Sequence, residues 1–158
     1  MATGISEDLK TFMETINAAV DFLMEVEISE MVKDAIYTMV EIKVYREYEP
    51  KDYQRWGEYG GLQDRHNMEV HYDKRTKTLT VQNVRDDQDT KEWRWKKSAN
   101  PDITVADVVE NGGPYSWRGG EVHARPFHKP AEDFLINGGY VDRKLTEELE
   151  SNLAGFSL

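Results

Sequence analysis

Apolar residues in the first third of the chain recur at helical spacing: Leu9, Phe12, Met13, Ile16, Val20, Leu23 and Met24, then Ile28, Met31, Val32, Ala35, Ile36, Met39, Val40 and Val44. That period predicts an amphipathic helix. No glycine or proline interrupts residues 5–49, so a single helix there would run roughly 60 Å at ~1.5 Å per residue. Ser6 ahead of "EDLK" predicts the N-cap, with acids in the first turn. Ser29 followed by Glu30 offers a second cap, so two pieces joined at a kink remain open. An apolar stripe of this length needs cover, and part of it is expected on a neighbour.

The period breaks over 45–67, "YREYEPKDYQRWGEYGGLQDRHN", where Pro50 and Gly60-Gly61 punctuate a loop carrying four tyrosines and Trp56. Two readings stand: a surface loop pinned by aromatic anchors, or an assembly loop, since Tyr, Trp and Arg are favoured at interface hot spots. Alternation then takes over. Met68, Val70 and Tyr72, and later Leu79 and Val81, alternate with polar residues around "DKRTK", predicting a β-hairpin over 68–84. A charged insert, 85–102, carries Trp93 and Trp95 and is expected either to add a strand or to leave the core. Thr104 predicts the cap of a short helix that Gly112, Gly113 and Pro114 end. Pro126 and Pro130 bracket Phe127, "AEDFLI" starts a helical run, "NGGY" stops it, and Val141, Leu145, Leu149 and Leu153 mark a final amphipathic helix. The expected fold is α+β: a long N-terminal helix, a small antiparallel sheet and C-terminal helices, in a single domain over 1–158.

Charge and composition narrow the partners. The 158 residues hold 20 Lys+Arg against 30 Asp+Glu, a formal net charge of −10, which disfavours general binding to phosphate backbones or anionic membranes. "WRWKKS" (93–98) is the one basic candidate. The absence of cysteine excludes disulfides, thiol catalysis and cysteine-based zinc sites. No signal-peptide pattern and no apolar run near the roughly 20 residues of a membrane span point to a protein made in a cytoplasm.

Chemistry is sparse. The four histidines are His66, His71, His123 and His128. His123 and His128 stand five apart with Pro126 between them, whereas zinc histidines on a helix sit four apart and face one way. With Glu132 or Asp133 they could complete a metal set, but the spacing does not demand it. No nucleophile elbow, phosphate loop or dinucleotide fingerprint occurs, and Asp86-Asp87 and Glu147-Glu148 are sequence neighbours that diverge on a helix. No catalytic residue, metal or cofactor is therefore expected. "HARPFHKP" reads instead as a stiff approach to a helix. The prolines hold the preceding residues extended, Pro130 occupies the first turn, Glu132 and Asp133 lie near the positive helix end, Phe127 plugs the core and Arg125 pairs with a carboxylate.

"ARPFHKPAEDFL" resembles the A-x-P-F-x-x-P-A signature that opens the C-terminal helix of tail-completion proteins of long-tailed bacteriophages, also known as minor head–tail connector proteins. "ADVVENGG" (106–113) is similar to the segment that precedes the signature in many members. "VYREYEPKDYQRWGEYGGLQDRHNMEV" (44–70) resembles versions from phages of Gram-positive hosts. The order of elements agrees over most of residues 6–155. The chain departs from the pattern in the 85–102 insert and in Trp56, where a second arginine is usual.

The resemblance implies a structural virion protein with no chemistry: a ring subunit, with six copies the family expectation, at the neck between head connector and tail tube. It implies self-contact and contact with adjacent head-connector and tail-tube or tail-terminator proteins. DNA would pass through an acidic lumen without specific binding, and the site would be the virion neck after assembly in the host cytoplasm. Tyr45, Tyr48, Tyr53, Trp56, Tyr59, Trp93 and Trp95 are the expected interface residues, and Arg125, Pro126, Phe127 and Pro130 the hinge that sets the angle of the C-terminal helices. The alternatives are a tail terminator, head-closure ring or other minor tail protein; a small metal-dependent hydrolase using His123 and His128; and a host-directed acidic protein that mimics DNA.

Overall fold

The computed structural model describes residues 2–47, 60–85, 104–114 and 121–154. The fold is α+β, with a long N-terminal helical run, antiparallel strands and C-terminal helices. The run comprises α1 (Ala2–Phe22), a π-helical turn (Leu23–Ile28), α2 (Ser29–Val40) and a second π turn (Glu41–Tyr45). It begins ahead of Ser6, so that serine lies inside α1 and is not the N-cap. Ser29 caps nothing either. Its buried hydroxyl donates back to the carbonyls of Glu25 and Val26 at 2.8 and 2.9 Å, the back-bonding that serine adopts inside a helix. The two pieces are therefore joined without a break.

The hairpin follows: β1 (Met68–Asp73) pairs antiparallel with β2 (Thr78–Asn83), Met68 opposite Asn83 and Val70 opposite Val81. Lys77 turns the chain at φ 55°. Met68, Val70, Tyr72, Leu79, Val81 and Asn83 share one face, and Glu69, His71, Thr78, Thr80 and Gln82 stand exposed on the other. Charge fastens the hairpin to the long helix. Asp21 accepts from the Tyr72 hydroxyl at 2.8 Å and from Lys77 at 2.6 Å, and Lys74 reaches Glu25 at 3.3 Å.

Helix α3 (Val105–Asn111) opens on the predicted cap: Thr104 and Asp107 form a capping box, and Gly112 ends the helix at φ 69°. A two-residue ladder, β3 (Gly113–Pro114) with β4 (Glu121–Val122), precedes α4 (His128–Asn137) and α5 (Tyr140–Leu153). The α4–α5 joint turns at Gly139, φ 63°. Ala35, Ile36, Val40 and Val44 of the helical run meet Leu62, Met68, Ala106, Phe127, Ala131 and Leu135 in the core. Cover is uneven along the chain. No described side chain of α1 from Glu7 to Phe22 is buried, and none of α5 is, although both carry apolar stripes.

Candidate functional site

The stretch before α4 gathers contacts from three other parts of the chain. Phe127 is fully buried, and its ring lies 4.3 Å from that of His128. Helix α4 starts at His128, three residues before "AEDFLI", so Lys129 is helical although it precedes Pro130, against the expected extended conformation. Pro130 is third in the helix, where its missing N–H costs no hydrogen bond. Glu132 and Asp133 lie beyond the first turn and bind Lys129 instead, at 3.0 and 2.8 Å. The negative charge at the helix start comes from α3. Glu110 Oε2 accepts the backbone N–H groups of Phe127 and His128 at 2.9 and 3.2 Å, capping two orphan donors at the positive end of the dipole.

His128 continues this network. Its Nδ1 lies 3.1 Å from Glu110 Oε2, and its Nε2 accepts the backbone N–H of Asn83 at 3.1 Å. An Nε2 that accepts places the ring proton on Nδ1, so Nδ1 donates to Glu110. Asn83 is fully buried. Its amide donates to the Leu62 carbonyl at 2.6 Å, and its side-chain oxygen accepts from Arg85 N at 3.0 Å. The imidazole thus joins β2 to α3 and α4, and the asparagine joins β2 to the loop ahead of β1. Arg125 N donates to Val109 O at 2.7 Å, holding the approach to α4 against α3. Pro126 stands exposed on that approach.

Both ring nitrogens of His128 are therefore occupied within the fold, and His123 is exposed. Among the described residues no three His, Asp or Glu side chains gather as a metal would require. Gln63, also buried, places its amide 3.4 Å from Tyr37 O and 3.3 Å from Glu41 Oε2, at the second π turn. Sequence reasoning missed Glu110, Asn83 and Gln63. Only "VVENGG" hinted at the first, through the motif it belongs to.

Of the expected interface residues, Tyr45 is half-buried and packs against the core. Tyr48, Tyr53, Trp56, Tyr59, Trp93 and Trp95 lie outside the described residues. A different surface is open to partners. Leu9, Met13, Phe22 and Val26 are exposed along the helical run, Val70 on β1, and Phe134, Ile136 and Tyr140 around the α4–α5 joint. Tyr140 stacks on Phe134 at 5.1 Å and carries Arg143 5.2 Å above its ring.

The order of these elements, with the α3 carboxylate set into the turn that opens α4, runs along nearly the whole chain, and so does its match to one family, YomN, over residues 7–154. The chain belongs to the YomN family. YomN is a phage-derived family, so the protein is phage-associated. Neither a curated protein nor a solved structure matches the chain. Within YomN this chain builds its fold on the long helix and the Glu110-capped α4, and no described helix is long and apolar enough to cross a membrane.

Proposed function

We propose that this YomN protein is a structural subunit of the phage neck, forming a ring that joins the head connector to the tail tube. The observation that carries the reading is the uncovered apolar surface: large hydrophobics stay open on α1, on β1 and at the α4–α5 joint, a surface that asks for a partner. Phage-derived membership and the ordered signature "ARPFHKPAEDFL" support a virion role. A ring needs a heterologous contact that closes on rotation, and separate exposed patches on different elements suit that geometry better than one self-complementary patch. The long helix from Glu7 to Tyr45 carries nine carboxylates against three lysines, and acids facing a lumen would let DNA pass without sticking.

A tail terminator, head-closure ring or other minor tail protein fits the same surface in another layer of the virion. The hydrolase alternative would require His128 to give up both of its intramolecular partners before it could bind a metal. Electron microscopy of particles from a phage with this gene interrupted tests the proposal. Filled heads and finished tails lying unattached are expected, and joined virions would refute the neck role. Stoichiometric metal in the purified chain would return the hydrolase to consideration.

A further inference from the structure

Asparagine followed by glycine occurs twice in the chain, at Asn111-Gly112 and Asn137-Gly138, and each pair is followed by a second glycine. Such a pair can react with itself: the glycine backbone nitrogen attacks the asparagine side-chain carbonyl carbon, and ammonia leaves. Glycine favours the step because no Cβ restricts the backbone on the attacking side. Matching residues on the C-terminal side give the two pairs similar intrinsic reactivity in an unfolded chain. Both asparagines are the last residue of a helix, and both are exposed. A difference between them in the native protein therefore comes from the fold.

The Asn137 end is locked. Gly138 keeps right-handed helical backbone, φ −76° and ψ −6°, and its N–H donates to Phe134 O at 3.1 Å. The next N–H, on Gly139, donates to Ile136 O at 3.0 Å. The Tyr140 ring presses so closely on Gly138 that not even a Cβ would fit there. Swinging the Gly138 nitrogen toward the Asn137 side chain would break these bonds and displace the Tyr140–Phe134 stack. The Asn111 end is built differently. Helix α3 has seven residues, and the chain leaves it at Gly112 with φ 69° and ψ 175°. Val109 O accepts from Arg125 N at 2.7 Å, so the last turn is tied to the approach to α4 and not to a continuing helix. The Asn111 side chain is held by Nδ2 donating to Asp107 O at 3.1 Å on the exposed face. The end of a two-turn helix, held by exposed bonds, opens more readily than a packed joint.

We propose that Asn111 is a site of spontaneous deamidation, and that the reaction acts on the Glu110 cap beside it. When the last turn of α3 opens, a base takes the proton from Gly112 N and the nitrogen bonds to Asn111 Cγ. Nδ2 gains a proton and departs as ammonia, leaving a five-membered succinimide. Water then opens the ring at either carbonyl, giving aspartate or isoaspartate. One water is consumed, one ammonia is released, and nothing is oxidised or reduced. Each product places a new carboxylate at the negative end of the α3 dipole and loses the donor to Asp107 O. In isoaspartate the main chain also gains a methylene, directly after the residue whose carboxylate holds the N–H groups of Phe127 and His128. Ageing at Asn111 thus loosens the seating of α4 while α4 itself stays chemically intact.

The test incubates the full chain at mildly alkaline pH, once folded and once in urea, and follows both asparagines by peptide mapping with mass spectrometry. In urea the two should convert at similar rates. In the folded chain Asn111 should outpace Asn137 on the order of tenfold or more, the ratio that about 1.4 kcal/mol between their opening free energies gives. Labelling by an isoaspartyl methyltransferase should mark the Asn111 peptide and vanish in Asn111→Gln, whose longer side chain closes a ring far more slowly. Aged wild type should melt earlier than fresh wild type by circular dichroism, whereas aged and fresh Asn111→Gln should melt alike. Equal conversion of the two asparagines in the folded chain, a faster Asn137, or a folded Asn111 that stays intact while urea converts it would overturn the site. Unchanged melting after Asn111 has converted would overturn its link to the Glu110 cap.

Discussion

Replacing Glu110 with alanine should loosen the junction that aims the C-terminal helices. One carboxylate oxygen there serves the N–H groups of Phe127 and His128 and the Nδ1–H of His128. The side chains are largely shielded, Glu110 17% and His128 28% exposed. Losing a helix cap costs about 0.5–2 kcal/mol, and leaving the half-buried imidazole N–H without its acceptor adds about 1 kcal/mol. Together these give about 1.5–3 kcal/mol. For a chain of this length each kcal/mol lowers the melting temperature by about 2–4 °C, so Glu110→Ala should melt about 3–12 °C early by circular dichroism. Glu110→Gln keeps an acceptor oxygen and forfeits the charge near the helix dipole, for about 1 kcal/mol. An alanine variant within about 0.5 kcal/mol of wild type, or a glutamine variant as damaged as the alanine one, would refute the capping role.

Phe127→Ala removes a fully buried ring from the core and should cost about 3–5 kcal/mol in urea unfolding; unchanged melting would mean that the ring is not a core plug. Gly138→Ala would put a Cβ 2.3 Å from the Tyr140 ring and 2.7 Å from Phe134 O, so a loss of about 1–3 kcal/mol is expected, with near-ultraviolet dichroism reporting the displaced stack. Burial, followed by the hydrogen bond to Asp21, pushes the Tyr72 phenol up to about 12. A raised value means that the folded chain keeps this proton after the unfolded chain has lost its own, so stability drains as pH rises from about 10 toward 12. Tyr72→Phe should lack that component of the decline, and identical alkaline profiles would contradict the assignment. At the acid end, the bonds from Lys77 and then Tyr72 hold Asp21 below its ordinary value. Its contribution is therefore present above about pH 4 and fades as pH falls further, and Asp21→Asn should flatten that limb of the denaturation curve.

Elements governed by local period were legible in the sequence. The helical stripe from Leu9 to Val44, the alternation around "DKRTK" and the Thr104–Asp107 box each state their structure within a few residues. The π turns were not legible, because they depend on which carbonyls Ser29 and Gln63 engage. The start of α4 was misplaced for a related reason. Pre-proline bias argued against a helical Lys129, yet a carboxylate 17 residues upstream of Phe127 supplies the cap that local acids were expected to provide. The tie between His128 and Asn83 spans 45 residues and leaves no trace in spacing. The family resemblance reached the phage-derived class through the order of motifs.

The hydrogen bond from Val105 N to Arg85 O, 3.0 Å long, has an evolutionary consequence. Whatever lies between those residues is already closed by the fold, so lengthening it adds only loop entropy, about 0.6 kcal/mol for each doubling. The β3–β4 ladder closes residues 115–120 in the same way. Both segments can lengthen, shorten or be exchanged between lineages while the helices and hairpin beneath keep their sequence. Drift in partners would then be recorded at these two openings, where an insertion would disturb the fold beneath least.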